Sequence, residues 1–234
     1  MTVLRPVRAG NAFEETVERL LQAIKLGVVA PGEKLPPERE LAVQLGISRV
    51  TLREAIRALQ EAGYLDVRRG RYGGAFVTYV PPRPETGDLR RVVTDMGSDD
   101  LSDALTFRMA VECGAAQVLA TMALGEEQRE ALRRRLRDLD GSCPEDYRRL
   151  DTAFHLSIAE LTGSPLLAAT CADARLRVTD LLNAIPMLQV NLDHAAMQHE
   201  AIVAAILDGD PDGARRAVAE HLEGTAALLR GFLA

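Results

Sequence analysis

The chain has 234 residues, a formal net charge of −6 and 47% hydrophobic residues, which is enough to bury the core of one large domain or two smaller ones. No apolar run approaches the roughly 18 residues that a membrane-spanning helix needs, and nothing at the N-terminus resembles a signal peptide, so a soluble protein is expected. The cysteines Cys113, Cys143 and Cys171 are odd in number and far apart. Neither a disulfide framework nor a zinc ribbon is therefore implied, and the reducing cytoplasm is the expected compartment.

The charge is unevenly distributed along the chain. Residues 1–80 contain 12 Lys plus Arg against 9 Asp plus Glu, a net charge of +3, whereas the remainder contains 16 against 25, a net charge of −9. A basic module joined to an acidic one is typical of a DNA-binding protein whose second half stays away from the phosphates. Because the chain has no Trp and only nine Phe plus Tyr, it has little surface for stacking on unpaired bases, and duplex DNA is the better candidate partner.

The first predicted elements are three helices. An apolar stripe predicts a helix over 11–26, and a Pro-Gly turn separates it from a pair of helices within 36–63. Leu41, Ala42 and Leu45 form the apolar stripe of the first member of this pair, which ends at Gly46. Ser48 then supplies a side-chain oxygen that can cap the second member, whose N-terminus also attracts phosphate.

The second helix of the pair has a buried face and an arginine stripe. Leu52, Ala55, Ile56 and Leu59 share the apolar face, and Arg49, Arg53 and Arg57 lie beside it and face outward. Arg57 has Glu54 and Glu61 at i−3 and i+4, so an ion-pairing surface role is the alternative for it. Arg49 and Arg53 follow a helix, a turn and a cap in the order typical of a DNA-binding helix, and we predict that they contact DNA.

Two β-rich runs follow, at 64–67 and 75–80, around a tip rich in Gly and Arg, and they predict a hairpin. Pro81, Pro82 and Pro84 then interrupt regular structure, so residues 81–97 are interpreted as a linker with a possible short helix over 89–96. The predicted domains are therefore 1–80 and 98–234.

The stretch LPPERELAVQLGISRVTLREAIRALQEAGYL resembles the winged helix-turn-helix signature of GntR-family bacterial transcription regulators. The resemblance implies that Arg39, Ser48, Arg49, Thr51 and Arg53 contact phosphates and base edges, and that Arg69 and Gly70 at the wing tip enter the minor groove. The physics agrees, because arginine forks match guanine edges and a narrow minor groove attracts arginine. Val50-Thr51-Leu52 departs from the Thr-Pro-Val of many members, which leaves the base preference open.

From Ser98 onward every segment has helical periodicity, which predicts an antiparallel all-helical bundle. The predicted helices cover about 98–123, 126–139, 144–162, 164–185, 187–208 and 211–232. The fold class is thus mainly α, with a small β wing in the N-terminal domain.

The histidines of this half form a pattern. Asp151 and His155 lie at i and i+4 on one helix face, and His199 and His221 lie 11 residues before and after Asp210 in a helical hairpin. Because both histidines of the hairpin also sit on apolar stripes, they should point inward at the same height. Three imidazoles and a carboxylate suit Zn²⁺, Ni²⁺, Mn²⁺ or Fe²⁺, whereas Ca²⁺ would need more oxygens; hydrogen-bonded core histidines are the alternative. His194 is rotated by about 140° and displaced by about 7.5 Å from His199, so no ligand role is predicted for it.

This half resembles the FCD effector domain of the FadR-type branch of the GntR family, whose D-x-x-x-H, H, H motif matches Asp151, His155, His199 and His221. The resemblance implies a divalent metal, with Zn²⁺ expected first, and positions left open to water or to the carboxylate of an effector. It also implies that Arg108 approaches the same cavity, although an i, i+4 ion pair with Glu112 is the rival role. Ser164 replaces an asparagine that is common after the metal helix, so the local bonding there is open.

The leading hypothesis is a cytoplasmic, homodimeric transcription regulator, a repressor in the first instance, that binds a pseudo-palindromic double-stranded DNA operator. A small organic acid bound at the metal would change its DNA affinity. The alternatives are a DNA-tethered metalloenzyme, a regulator that senses the metal itself, and a purely structural metal. No general base or nucleophile stands near the four candidate ligands by spacing, so we predict that the protein is not an enzyme.

Overall fold

A computed structural model of the protein describes residues 12–70, 72–81, 98–185 and 189–233. The chain divides into two compact units on either side of the Pro81–Pro82 bond. Within the described ranges the structure has nine helices and one two-stranded sheet, so the predicted fold class, mainly α with a small β wing, is confirmed. None of the helices in these ranges combines the length and the apolar character that a membrane crossing requires. The predicted short helix over 89–96 lies outside the described residues.

The first unit consists of three helices and a hairpin. The helices are α1 (Ala12–Lys25), α2 (Glu38–Leu45) and α3 (Arg49–Glu61), and the strands are β1 (Leu65–Arg68) and β2 (Gly74–Val77). The strands pair antiparallel from Leu65 opposite Val77 to Arg68 opposite Gly74. Strand β2 is shorter than the predicted run over 75–80, although one further backbone hydrogen bond, from the amide of Thr78 to the carbonyl of Tyr64, extends the pairing beyond Val77.

Local signals set the turn between α2 and α3. Gly46 takes a φ of 66° and donates its amide to the carbonyls of Ala42 and Val43, which ends α2 in a left-handed cap. Two residues on, the hydroxyl of Ser48 accepts the amide of Thr51 at 3.0 Å and starts α3. The apolar faces of both helices are buried with that of α1, in a core that includes Leu20, Leu41, Leu45, Leu52, Ile56 and Leu59. This packing leaves the opposite face of α3 in solvent.

The second unit contains six helices. They are α4 (Ser98–Ala120), α5 (Glu126–Asp140), α6 (Pro144–Leu161), α7 (Pro165–Ala184), α8 (Gln189–Leu207) and α9 (Pro211–Leu233). Their bounds lie within three residues of the predicted ones. Helix α4 ends at Ala120 rather than 123, because the amides of Thr121 and Met122 bond carbonyls only three residues back. Ser164 serves as the cap of α7 and accepts the amide of Leu167 at 3.2 Å.

Helix packing brings distant parts of the second unit together. Helix α9 packs against α4 and α8, and α7 packs against α4 and α6. Gly209, with a φ of 71°, lies in the turn that joins α8 to α9. Since this turn is short, residues at equal distance from it along the two helices lie level with each other.

Candidate metal centre and nucleic-acid interface

Asp151, His155, His199 and His221 converge inside the second unit. Each offers one ligand atom, these atoms all lie within 4.8 Å of one another, and all four residues are buried. The i, i+4 spacing on α6 pairs Asp151 with His155, and the α8–α9 turn places the rings of His199 and His221 with their centroids 4.5 Å apart. The structure thus brings together all four residues of the predicted metal set.

The hydrogen bonds of the imidazoles indicate which nitrogens face the centre of the group. His155 Nδ1 lies 2.8 Å from Glu112 Oε2, and His221 Nδ1 lies 3.1 Å from Gln198 Oε1. His155 Nε2 and both ring nitrogens of His199 have no hydrogen bond within the described part of the chain. His199 Nε2 is only 3.4 Å from Asp151 Oδ1, in an unfavourable direction for hydrogen bonding. A buried polar atom without a partner costs about 1–3 kcal/mol, so the group fits a divalent metal better than it fits a dry core.

The electrostatics of the group favour the protonation states that a metal needs. Burial, followed by the positive charge of Arg175, lowers the pKa of His155 to about 4. Burial and the two neighbouring imidazoles lower the pKa of His221 as well. For Asp151 burial alone would raise the pKa, but Arg175 and the imidazoles outweigh burial and hold the pKa well below its ordinary value. The lowered pKa values favour neutral His155 and His221 beside an ionised Asp151, which are the forms in which these side chains bind metals.

A second layer of buried side chains, Arg175 and Glu112, supports the four candidate metal ligands, and the sequence did not predict this support. Arg175 on α7 is 2% exposed; its Nη2 donates to Asp151 Oδ2 at 2.6 Å and its Nη1 donates to Glu112 Oε2 at 3.2 Å. Glu112 on α4 therefore receives His155 on one side and Arg175 on another, which fixes the orientation of the imidazole. The available signal for Arg175 was its place on the apolar stripe of α7, between Cys171 and Val178.

Arg108 combines the two roles that the sequence left as rivals. Its Nε donates to Glu112 Oε1 at 2.7 Å in a pair whose side chains are each 3% exposed. The same arginine lines a cavity of about 340 Å³ onto which Asp151 and His221 also open. His194 stays outside the four-residue group, yet it lines the cavity wall, which its rotation from His199 did not predict.

The first unit presents the predicted DNA-contacting arginines to solvent. Side chains of Arg49 and Arg53 on α3 are 57% and 58% exposed, and Arg39 on α2 is also exposed. Both α3 arginines approach the carboxylate of Glu38: Arg53 Nε lies 2.8 Å from its Oε2, and Arg49 Nη2 lies 3.9 Å away. Arg57 pairs with Glu61 at 2.9 Å, which is the ion-pairing role offered as its alternative.

The α3 N-terminus and the hairpin tip complete this surface. Ser48 and Thr51 bond each other through their hydroxyls at 2.9 Å, beside the first turn of α3. Arg69 and Gly70 are exposed at the hairpin tip, where Gly70 has a φ of 103° that favours glycine. The seven predicted DNA-contacting residues therefore lie on α2, on α3 with its cap Ser48, and at the hairpin tip of one unit.

Comparisons with known proteins match both units. Residues 13–77 match the family described as bacterial regulatory proteins, gntR family, and residues 103–224 match the FCD domain. The chain is 32% identical over 216 residues to a putative HTH-type transcriptional regulator, RmpR, from Mycobacterium gastri, which covers 88% of this chain and 76% of that protein. It is 29% identical over 243 residues to the HTH-type transcriptional repressor NanR from Klebsiella aerogenes, covering 97% and 89% of the two chains.

Among solved structures, McbR/YncC from E. coli superposes with a TM-score of 0.57 at 21% identity, over 94% of this chain and 97% of that one. At that identity the likeness concerns the fold alone.

Proposed function

From the membership of this chain in the gntR family of bacterial regulatory proteins, with an FCD domain as its second unit, we propose a ligand-controlled repressor that binds its operator as a homodimer. The family and the relatives are transcriptional regulators, not enzymes. The proposal adds the class of effector and the site that binds it. A small organic acid binds in the cavity beside Asp151 and His221, and its binding changes the affinity for DNA.

The observation that carries the DNA half of the proposal is the surface of α3. Arg49 and Arg53 are exposed on one side of a helix whose other side is buried in the core, and the N-terminus of that helix is capped and open to phosphate. Guanidinium groups on such a helix match guanine edges in the major groove. In this proposal Arg39, Ser48 and Thr51 contact the flanking phosphates, and Arg69 and Gly70 enter the minor groove. Two-fold symmetry of the dimer requires a pseudo-palindromic operator.

The observation that carries the effector half is the set of unpaired nitrogens beside the cavity. Asp151, His155, His199 and His221 would hold a divalent ion, with Zn²⁺ as the first candidate and Ni²⁺, Mn²⁺ or Fe²⁺ as the others. Bound there, the ion supplies a Lewis-acid attachment for a carboxylate. Arg108 supplies a guanidinium on the same cavity, so an organic acid could bond to the ion on one side and accept a hydrogen bond from Arg108 on the other.

The DNA half is tested by removing the two α3 arginines together. The parent protein first selects an operator from a random duplex pool, and fluorescence anisotropy then measures the affinity of variants for that duplex. The double variant Arg49→Ala, Arg53→Ala should bind at least about 30-fold more weakly, since each base or phosphate contact contributes about 1–3 kcal/mol. Arg57→Ala is the matched control on the same helix, because Arg57 lies two turns from the capped N-terminus and its partner Glu61 is on the same helix. Equal affinity of the double variant and the parent would refute the proposal.

The effector half is tested on the same duplex with a panel of organic acids and with metal-free protein. One acid should release the zinc-loaded protein from DNA. If metal loading alone changes the affinity and no acid does, the protein senses the metal itself and the effector half of the proposal is wrong.

A further inference from the structure

Arg148 is a second guanidinium on the cavity wall, three residues before Asp151 on α6. Its side chain is partly buried, and burial lowers its pKa although Asp151 opposes that effect. Its hydrogen bond runs from Nη2 to the carbonyl of Ile185, at a long 3.4 Å. Within the described ranges no carboxylate lies within ion-pair distance of it. A partly buried guanidinium without an anion carries a desolvation cost that a bound anion would offset.

The charged side chains around the cavity also leave a net positive charge. Arg108 and Arg175 already share the carboxylates of Glu112 and Asp151, so these two cations and two anions cancel. Arg148 adds one uncompensated positive charge. A divalent ion at the histidines would raise the net charge to +3. One carboxylate on the ligand would therefore leave most of this positive charge uncompensated.

An unused donor lies on the same cavity. Asn191 on α8 lines it, and Nδ2 of that residue is buried without a hydrogen-bond partner in the described part of the chain. Buried amide donors are rarely left unpaired. The amide nitrogen is covered on the cavity side, so the Arg148 guanidinium is the group on this wall from which a carboxylate would accept hydrogen bonds.

We propose that the effector is a dianion, with one acidic group at Arg108 and the candidate metal ligands and a second acidic group that accepts from Arg148. The inference rests on the effector half of the proposed function and gives the effector a chemical class. The volume of about 340 Å³ is at the lower end for ligand cavities, which suits a short dicarboxylic acid or a sugar diacid.

The test compares acids that differ only in the second carboxylate. Zinc-loaded full-length protein is titrated calorimetrically with malonate, succinate and glutarate, and with propionate, butyrate and pentanoate, which have the same chain lengths. The best diacid should bind about 10- to 100-fold more tightly than its monoacid partner, since a hydrogen bond to a charged group contributes about 1.5–3 kcal/mol. Zinc content is measured after each titration, so that extraction of the metal by the acid is detected.

Two variants assign the difference to a residue. Arg148→Gln should remove the preference for the diacid and leave monoacid binding within about threefold of the parent. Arg149→Gln is the neighbouring control, because Arg149 is engaged with Asp146 at 3.1 Å and does not line the cavity; it should keep the preference. Circular dichroism and zinc content confirm that each variant is folded.

The outcomes separate this inference from the proposed function. If monoacids bind and release DNA while the second carboxylate adds nothing, the dianion is wrong and the effector site stands. If diacids are preferred but Arg148→Gln keeps the preference, the placement of the second acidic group at Arg148 is wrong, and the effector site again stands. If no acid of either series binds and none changes operator affinity, both are wrong.

Discussion

Replacement of Arg175 by Met tests whether the buried ion pairs of Arg175 hold the four candidate metal ligands in place. The variant keeps most of the buried volume but removes the donors that reach Asp151 Oδ2 at 2.6 Å and Glu112 Oε2 at 3.2 Å. Glu112 retains Arg108 and His155, whereas Asp151 loses its arginine and remains a buried carboxylate. Removing one partner of a buried ion pair typically lowers the free energy of unfolding by about 3–5 kcal/mol.

The assay is urea unfolding of full-length protein, first metal-free and then with excess zinc. In the metal-free state we expect the free energy of unfolding to fall by the full amount, about 3–5 kcal/mol. In a thermal melt the same loss would lower the melting temperature by about 6–20 °C. With zinc the loss should be smaller, because the ion gives Asp151 another positive partner. Arg177→Met, two residues along the same helix, is the control; Arg177 is exposed over the ring of Phe107 at 5.9 Å, and its loss should cost no more than about 1 kcal/mol. A metal-free loss for Arg175→Met within about 1 kcal/mol would refute the reasoning.

Three further predictions concern other contacts. Glu112→Gln removes the negative charge that orients the imidazole beside it, so zinc affinity measured by chelator competition should fall about 10- to 100-fold; an unchanged affinity would show that this carboxylate does not support the metal group. Ser48→Ala removes the cap of α3 and should lower the free energy of unfolding of the first unit by about 1 kcal/mol, whereas Ser48→Asn, which can still cap, should leave it nearly unchanged in denaturant melts. A thiol reagent at pH 8 should modify the exposed Cys143 in folded protein, while Cys113 and Cys171 stay protonated because burial raises their pKa values to about 11 and about 12; three fast-reacting thiols would contradict the burial.

The fold could be predicted from the sequence because its signals are local. Apolar stripes set the helices, and Gly46 and Ser48 set the turn between α2 and α3 within a few residues. The level placement of His199 and His221 also needed only their distance from one turn, which regular helices translate into height.

The support of the site could not be predicted in the same way. Arg175 meets partners 24 and 63 residues away, so its role depends on how three helices pack, which no spacing along the chain encodes. Arg148 shares a helix with Asp151, but only the arrangement of the helices around it in space shows that it borders a cavity. The prediction for His194, that it is not a metal ligand, came from its rotation relative to His199 on one helix. Such a comparison does not show how wide the cavity is, and His194 lines the cavity from a neighbouring face of α8.

In the protein without DNA, the carboxylate of Glu38 binds Arg53 in the way that a DNA phosphate would. If Arg53 contacts DNA as proposed, the duplex has to displace that carboxylate before the guanidinium can turn to a base edge. Counterion attraction alone then brings less net gain, because one anion merely replaces another. We therefore expect random duplexes to be held weakly, and an operator whose base edges offer paired acceptors to overcome the competition.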